Sequence, residues 1–184
     1  MKGTNSMLNE ILEEIANVLN NVQVHDLENA AGYITKDKRI FITGAGRSAL
    51  QGKGFGMRLM HIGYKVYIVG ETNTPAMREG DVLIALSGSG TTKQILHVAE
   101  KAKGLGATTI AVSTTNDSPL SFLANMTICV PGASRKDKEN TSIQLLSSLF
   151  DQSVHIVLDA LTLGLAHRDG TTNDFAKTMH SNIE

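Results

Sequence analysis

Residues 82–92 read VLIALSGSGTT, and this stretch decides the fold class. Its first five residues are all apolar, without the polar alternation of a half-exposed strand, so they predict a strand buried on both faces of a parallel sheet. Its last six residues combine glycine with serine and threonine. Such a loop turns tightly and brings the backbone close to a ligand, and a helical pattern follows it. The stretch therefore predicts a strand–loop–helix unit of an α/β domain.

The same unit recurs on both sides of this stretch. Four further apolar runs lie at 40–42, 66–69, 109–112 and 127–130. Helical patterns fill most of the gaps, at 48–61, at 93–105 and in a short segment after Ser118-Pro119. Strands that alternate with helices predict a doubly wound, five-stranded parallel sheet flanked by helices, with right-handed crossovers.

The ends of the chain extend this core without adding a second domain. The 184 residues predict a single domain, with N-terminal helices over 1–37, the core sheet over 38–131, and a C-terminal helix and tail over 141–184. Apolar spacing predicts that the C-terminal helix runs from about Ser142 to Leu165. The polar tail beyond it is predicted to be helical and to lie on the surface or on a neighbouring subunit.

Charge and composition exclude several classes of protein. Seventeen lysines and arginines face 18 acidic residues, so there is no general attraction to nucleic acid or to anionic lipid. The lone Cys129 predicts no disulfide, and no histidine pair has metal-ligand spacing, so no zinc site is expected. No signal peptide and no membrane span are predicted, which favours a cytoplasmic protein.

Two glycine-rich loops carry the predicted chemistry. The first, Gly44 to Ser48, follows the first strand and opens a helix, and the second, Ser87 to Thr92, does the same after the third strand. If these two strands are neighbours at the switch point of the sheet, both loops face one crevice. Helix N-termini and short hydroxyls suit a compact phosphate, so the crevice is predicted to hold a small phosphorylated ligand.

Two other phosphate-binding interpretations fit less well. The first loop also matches the dinucleotide fingerprint, with Glu71 where a ribose-binding acid would stand. That interpretation requires a second domain for the reduced substrate and leaves the hydroxyls of the second loop unexplained. A nucleotide P-loop fails on spacing, because Lys53 lies one residue too far from Gly46 and Gly54 replaces the required hydroxyl.

Ser87, Ser89, Gly90 and Thr92 match the Ser-x-Ser-Gly-x-Thr phosphate loop of the sugar isomerase (SIS) domain, and the chain as a whole resembles the 6-phospho-3-hexuloisomerase family. The resemblance continues through residues 44–48, 57–61, 69–71 with 74–75, 149–152 and 180–184. It implies a flavodoxin-like strand order. It also implies the interconversion of D-arabino-hex-3-ulose 6-phosphate and fructose 6-phosphate through a 2,3-enediol, with no cofactor and no metal.

The residues and the resemblance together give a predicted site. The phosphate ligands are predicted to be the side chains of Ser48, Ser87, Ser89 and Thr92, with the N–H groups of Gly88, Gly90 and Thr91. The resemblance makes Asp151 the first choice for the proton-transfer base, with Glu139 in reserve, and His61 and His180 the candidates for proton exchange with the carbonyl oxygens. Gly46, Arg47 and Glu139 are further candidates for substrate binding, and Arg47 either neutralises phosphate or pairs with an acid.

One departure from the family pattern concerns the base. The family usually has glutamate at the position of Asp151, preceded by a turn with proline and glycine that here reads Leu145-Leu146-Ser147-Ser148. The substitution shortens the acid by one methylene, and misplacing a base by about 1 Å can cost on the order of a hundredfold in rate.

The resemblance also implies partners. Surplus amphipathic helices predict a homo-oligomer, which the resemblance makes a tetramer with sites completed across subunits. It implies a functional link to hexulose-phosphate synthase in formaldehyde fixation by the ribulose monophosphate pathway. Two alternatives stay open: another aldose–ketose sugar-phosphate isomerase, and a non-catalytic sugar-phosphate-binding regulator.

Overall fold

The computed structural model describes residues 3–132 and 142–183. The strands are β1 (Arg39–Gly44), β2 (Lys65–Ile68), β3 (Val82–Leu86), β4 (Thr108–Ser113) and β5 (Met126–Cys129). The helices are α1 (Thr4–Asn20), α2 (Val24–Tyr33), α3 (Arg47–His61), α4 (Lys93–Gly104), α5 (Pro119–Leu123), α6 (Ser148–Arg168) and α7 (Asn173–Thr178). Each predicted strand is present, with its ends within two residues of the predicted ones.

The strands form one parallel sheet in the order β2-β1-β3-β4-β5, which confirms the doubly wound α/β class and the flavodoxin-like order. Every residue of the central strand β3 is buried, as its unbroken apolar run predicts. The edge strands β2 and β5 are only partly buried. Between β1 and β3 the chain reverses its direction of winding, so the carboxyl ends of these two strands form the switch point of the sheet.

Two apolar cores cover the two faces of the sheet. Helices α1, α2, α3 and α6 pack on one face, where Leu86 and Phe150 are completely buried. Helices α4 and α5 pack on the other face around Phe41 and Leu83. Within the described ranges, α6 alone has the length and composition of a membrane-spanning helix, and its apolar side chains form the first of these cores.

The C-terminal helix differs from its prediction. It begins at Ser148 instead of Ser142, because Leu146 adopts a positive φ of 57° that a helix does not allow. The residues that were predicted to be helical are instead held by α1: the Glu14 carboxylate accepts hydrogen bonds from Ser142, from the backbone N–H of Ile143 and from Gln144. Burial raises the pKa of Glu14, but these three bonds outweigh that effect and leave the pKa below its ordinary value.

The packing of α3 on the sheet predicts a stability difference between two glycine substitutions. A Cβ on Gly52 would lie 3.0 Å from Cγ2 of Ile42, a branch atom held close to the backbone of a buried strand. We expect Gly52→Ala to lower the free energy of unfolding, because overpacking of about 1–3 kcal/mol exceeds the helix-propensity gain of about 1 kcal/mol. Denaturant unfolding at fixed protein concentration measures the change.

Gly32→Ala is the control, since Gly32 is exposed in α2 and a Cβ there meets nothing within 4 Å. It should be neutral or stabilising by up to about 1 kcal/mol. Equal effects of the two substitutions would show that α3 does not pack on β1 as closely as described.

Candidate functional site

The two predicted glycine loops lie side by side at the switch point. Gly44 at the end of β1 pairs in register with Leu86 at the end of β3, so residues 44–48 and 87–92 leave adjacent strands at the same edge of the sheet. The N-termini of α3 and α4 begin at these loops, and their free backbone N–H groups give this edge a positive potential. The two loops therefore lie next to each other, as the strand order predicts.

Glycine is required twice in the first loop. A Cβ on Gly44 would come within 2.9 Å of the Ala49 Cα, so only glycine lets α3 begin so close to the end of β1. Gly46, the residue before α3, has φ 58° and ψ −134°, a conformation that is essentially restricted to glycine. Gly46 therefore shapes the start of the helix, whatever it also contributes to a ligand.

The second loop is held from behind by β4. The carbonyl oxygen of Gly88 accepts hydrogen bonds from the Ser113 hydroxyl and from both the N–H and the hydroxyl of Thr114. On the loop itself the hydroxyls of Ser87 and Thr92 lie 2.9 Å apart, and those of Ser89 and Thr91 lie 3.0 Å apart. The loop thus places the three hydroxyls predicted for a phosphate anchor, and that of Thr91 as well, at the N-terminus of α4.

Gly90 has a different role from the predicted one. Its N–H donates to the carbonyl oxygen of Ser87 at 2.9 Å, so this N–H closes the loop and is not directed to a ligand. Gly90 has φ 59°, and a Cβ on it would overlap the buried Ser118 hydroxyl. The sequence analysis assigned the N–H groups of Gly88, Gly90 and Thr91 to the ligand, but the loop uses two of them internally, because the Thr91 N–H also donates to the Ser89 hydroxyl, at 3.3 Å.

Asp151 lies in the first turn of α6 and is completely buried. One carboxylate oxygen, Oδ1, accepts a hydrogen bond from the Ser48 hydroxyl at 2.7 Å, and the other, Oδ2, accepts one from the Ser147 hydroxyl at 2.9 Å. The helix N-terminus also favours a negative charge at this position. The predicted base therefore lies beside the first loop, and the predicted phosphate ligand Ser48 donates its hydroxyl proton to it.

Ser147 is a site residue that sequence reasoning missed. The signal was a pair of serines just before an apolar helical run, because serine is a favoured helix N-cap residue. Here the Ser147 hydroxyl bonds the Asp151 side chain instead of a backbone N–H. Arg47 donates to the Ser148 hydroxyl at 2.6 Å, and its Nε lies 4.0 Å from Oδ2 of Asp151, the pairing with an acid that was one of its two predicted roles.

The two predicted histidines lie together but far from the loops of the same chain. His61 ends α3, 13 residues after Ser48, which places it about 20 Å from the loop edge at the helical rise of 1.5 Å per residue. The rings of His61 and His180 stack with centroids 5.2 Å apart. Burial lowers the pKa of His61, and the positive charges of Arg58 and His180 lower it further.

The described residues say less about two other predictions, the role of Glu139 and the absence of a zinc site. Glu139 lies outside the described residues. Across residues 3–132 and 142–183, no three His, Cys, Asp or Glu side chains are grouped so that they could hold a metal ion.

The fold and the paired glycine-hydroxyl loops define an α/β domain of the sugar-phosphate-binding class. The SIS domain family matches residues 33–157. The 3-hexulose-6-phosphate isomerase of Bacillus subtilis is 39% identical and covers 98% of this chain and 99% of its own. That of Mycobacterium gastri is 36% identical and covers 96% and 89%.

A solved structure agrees with these relatives. A Methanococcus jannaschii protein, for which the function of 3-hexulose-6-phosphate isomerase was inferred, superimposes with a TM-score of 0.83 at 32% identity and covers 97% of this chain and 99% of its own. The chain belongs to the SIS domain family and, within it, to the 3-hexulose-6-phosphate isomerases. This confirms the predicted resemblance, and the protein is an isomerase of sugar phosphates.

The shape of the second loop generates a binding prediction. Gly90→Ala forces a positive φ on a residue with a Cβ, a strain of about 1–3 kcal/mol, and presses that Cβ against Ser118. We expect the loop to change shape and the affinity for inorganic phosphate to fall, as measured by phosphorus NMR titration. Gly104→Ala is the control, because Gly104 is the last residue of α4 and a Cβ there meets nothing within 4 Å. This variant should bind phosphate as the wild type does. An unchanged affinity for phosphate in Gly90→Ala would show that this loop does not bind phosphate.

The environment of His61 generates a pH prediction. Because its pKa is lower in the folded than in the unfolded chain, the unfolded chain binds more protons at acidic pH. We expect the free energy of unfolding to fall as the pH drops below about 6.5, the ordinary histidine value, and through the lower folded pKa. Urea unfolding at a series of pH values should show a smaller decrease in His61→Gln. An equal decrease in both proteins would contradict this origin.

Proposed function

We propose that the protein interconverts D-arabino-hex-3-ulose 6-phosphate and fructose 6-phosphate in the cytoplasm, by proton transfer through a 2,3-enediol. The observation that supports this most directly is the buried Asp151 carboxylate, held between two hydroxyls at the edge where the glycine loops meet. A carboxylate beside a phosphate anchor is what abstraction of a proton next to a carbonyl requires. The names of the relatives point to the same reaction.

The phosphate is bound at the second loop. Ser87, Ser89, Thr91 and Thr92 supply hydroxyl donors, and the N-terminus of α4 supplies positive potential. Anchoring the phosphate fixes the sugar chain relative to Asp151. The C–H group that loses its proton is then already oriented toward the base, which lowers the entropic cost of the reaction.

Asp151 acts as the base once Ser48 releases it. A rotation of the Ser48 side chain removes the hydroxyl from Oδ1 and frees that hydroxyl to donate to the ligand. Substrate binding thereby uncovers the base, which reconciles the predicted role of Ser48 as a ligand with its bond to Asp151. Oδ1 then takes the proton from one carbon of the C2–C3 pair and returns it to the other, so no net proton is gained or lost.

The histidines serve the site of another copy of the chain. His61 and His180 lie about 20 Å from the loops of their own chain, so proton exchange with the substrate oxygens requires a neighbour's pair. The exposed faces of α3 and α6 suit such an assembly. They carry the apolar side chains of Leu50, Met57, Ile156 and Leu163, each at least 42% exposed. A homotetramer, and a functional link to hexulose-phosphate synthase, remain predictions from the resemblance.

The experiment is proton NMR of fructose 6-phosphate in D2O with catalytic amounts of protein. We expect loss of the C3 proton signal and new 3-ketose resonances. Asp151→Asn should slow this exchange at least about a hundredfold, the usual contribution of a general base, while phosphate affinity stays unchanged. Glu28→Gln, the same change of acid to amide on the exposed face of α2, should exchange at the wild-type rate.

The other outcomes select the alternatives. Exchange confined to C1 would indicate an aldose–ketose isomerase. Clear ligand-induced chemical-shift changes without any exchange would indicate a sugar-phosphate-binding regulator.

A further inference from the structure

A recess opens beside the two glycine loops, on the side of β1 that faces β2. It has a volume of about 240 Å³ and lies over the carboxyl ends of β1 and β2, next to the start of α3. Thr43, Gly44 and Ala49 form the wall that it shares with the first loop, and Lys53 and Glu71 stand on its rim. The recess and the phosphate loop therefore lie on opposite sides of the same strand end.

Lys53 and Glu71 form an ion pair at this rim. The Lys53 Nζ donates to Oε1 of Glu71 at 2.6 Å, and about half of each side chain is exposed. Among the described residues, 3–132 and 142–183, neither Oε2 of Glu71 nor the other Lys53 protons have a further hydrogen-bond partner. An exposed pair of this kind contributes at most about 1 kcal/mol to stability, so the fold does not depend on it.

The backbone beneath Glu71 is held in a fixed turn. Gly70 has φ 97°, the Glu71 N–H donates to the carbonyl of Ile68, and the Glu71 carbonyl accepts from the N–H of Thr74. The Thr74 hydroxyl also donates to the Ile68 carbonyl, at 2.5 Å. These four constraints, within seven residues, fix the backbone position of Glu71. A side chain that recognises a ligand requires such a fixed backbone.

The distances across the sheet match an extended ligand. The phosphate loop follows β3 and Glu71 follows β2, so about two strand spacings, roughly 10 Å, separate the loop from the Lys53–Glu71 pair. An open-chain six-carbon sugar phosphate has a similar length. With its phosphate in the second loop it passes over the end of β1, where Ser48 and Asp151 lie, and its C1 end reaches the recess.

We propose that the Lys53–Glu71 pair binds the hydroxyl end of the sugar, opposite the phosphate, and so selects six-carbon over five-carbon ketose phosphates. The inference rests on the proposed function. The Glu71 carboxylate can accept a hydrogen bond from one sugar hydroxyl, and the Lys53 ammonium can donate one to the next. Neighbouring hydroxyls of a sugar suit this pair because each can both donate and accept. A five-carbon ligand anchored by its phosphate is one carbon short of the rim.

The test compares three ligands on each protein: inorganic phosphate, ribulose 5-phosphate and fructose 6-phosphate, each titrated by NMR. We expect the wild type to bind fructose 6-phosphate more tightly than ribulose 5-phosphate. In Glu71→Gln and in Lys53→Met the affinity for fructose 6-phosphate should fall about tenfold, the loss of one hydrogen bond to a charged group, and approach that for ribulose 5-phosphate. Inorganic phosphate should bind equally to all of them.

Glu100→Gln and Lys101→Met are the matched controls, because both residues are exposed on α4 and have no part in the recess. They should keep the wild-type preference. Unchanged affinity for fructose 6-phosphate in both rim variants would overturn the proposal, and so would a parallel loss for all three ligands. Exchange in D2O on the same samples separates the two ideas: a wild type without exchange contradicts the isomerisation, while the ligand ranking still decides the role of the pair.

Discussion

The parallel pairing of β1 with β3 is the constraint on which the rest of the structure depends. It places Gly44 beside Leu86, so the two loops that follow lie one strand spacing apart, about 4.8 Å. Without this pairing the two loops would leave strands that are not adjacent, and they would not lie side by side. The apolar cores on the two faces of the sheet stabilise this pairing, and they are built by the helices between the strands together with α1, α2 and α6.

Much of the fold could be predicted because its signals are local. An apolar run such as Val82–Leu86 and the glycines after it report directly on a buried strand and a tight turn, and their order along the chain limits the topology. The beginning of α6 could not be predicted in this way. The apolar spacing continues through Leu145 and Leu146, and only the positive φ of Leu146 and the three bonds to Glu14 interrupt the helix.

The site was predicted as a set of residues rather than as an arrangement. Ser48 and Asp151 were both candidates, but the bond between them spans 103 positions and depends on how α6 packs against α3. The Gly90 N–H was taken as a ligand donor, although the turn itself uses it. The recess at Lys53 and Glu71 has no pattern in the sequence, because it arises where the end of β2 meets the start of α3.

The late start of α6 also determines the position of Asp151. Because the helix begins at Ser148, Asp151 lies in its first turn, and Ser147 just before it can bond the carboxylate. From this position the Asp151 carboxylate accepts from the Ser48 hydroxyl at 2.7 Å, a normal hydrogen-bond length. Two hydroxyls and the helix N-terminus supply the polar partners that a fully buried carboxylate needs. The turn at residues 145–148 and the start of α6 therefore place the Asp151 carboxylate beside the first loop.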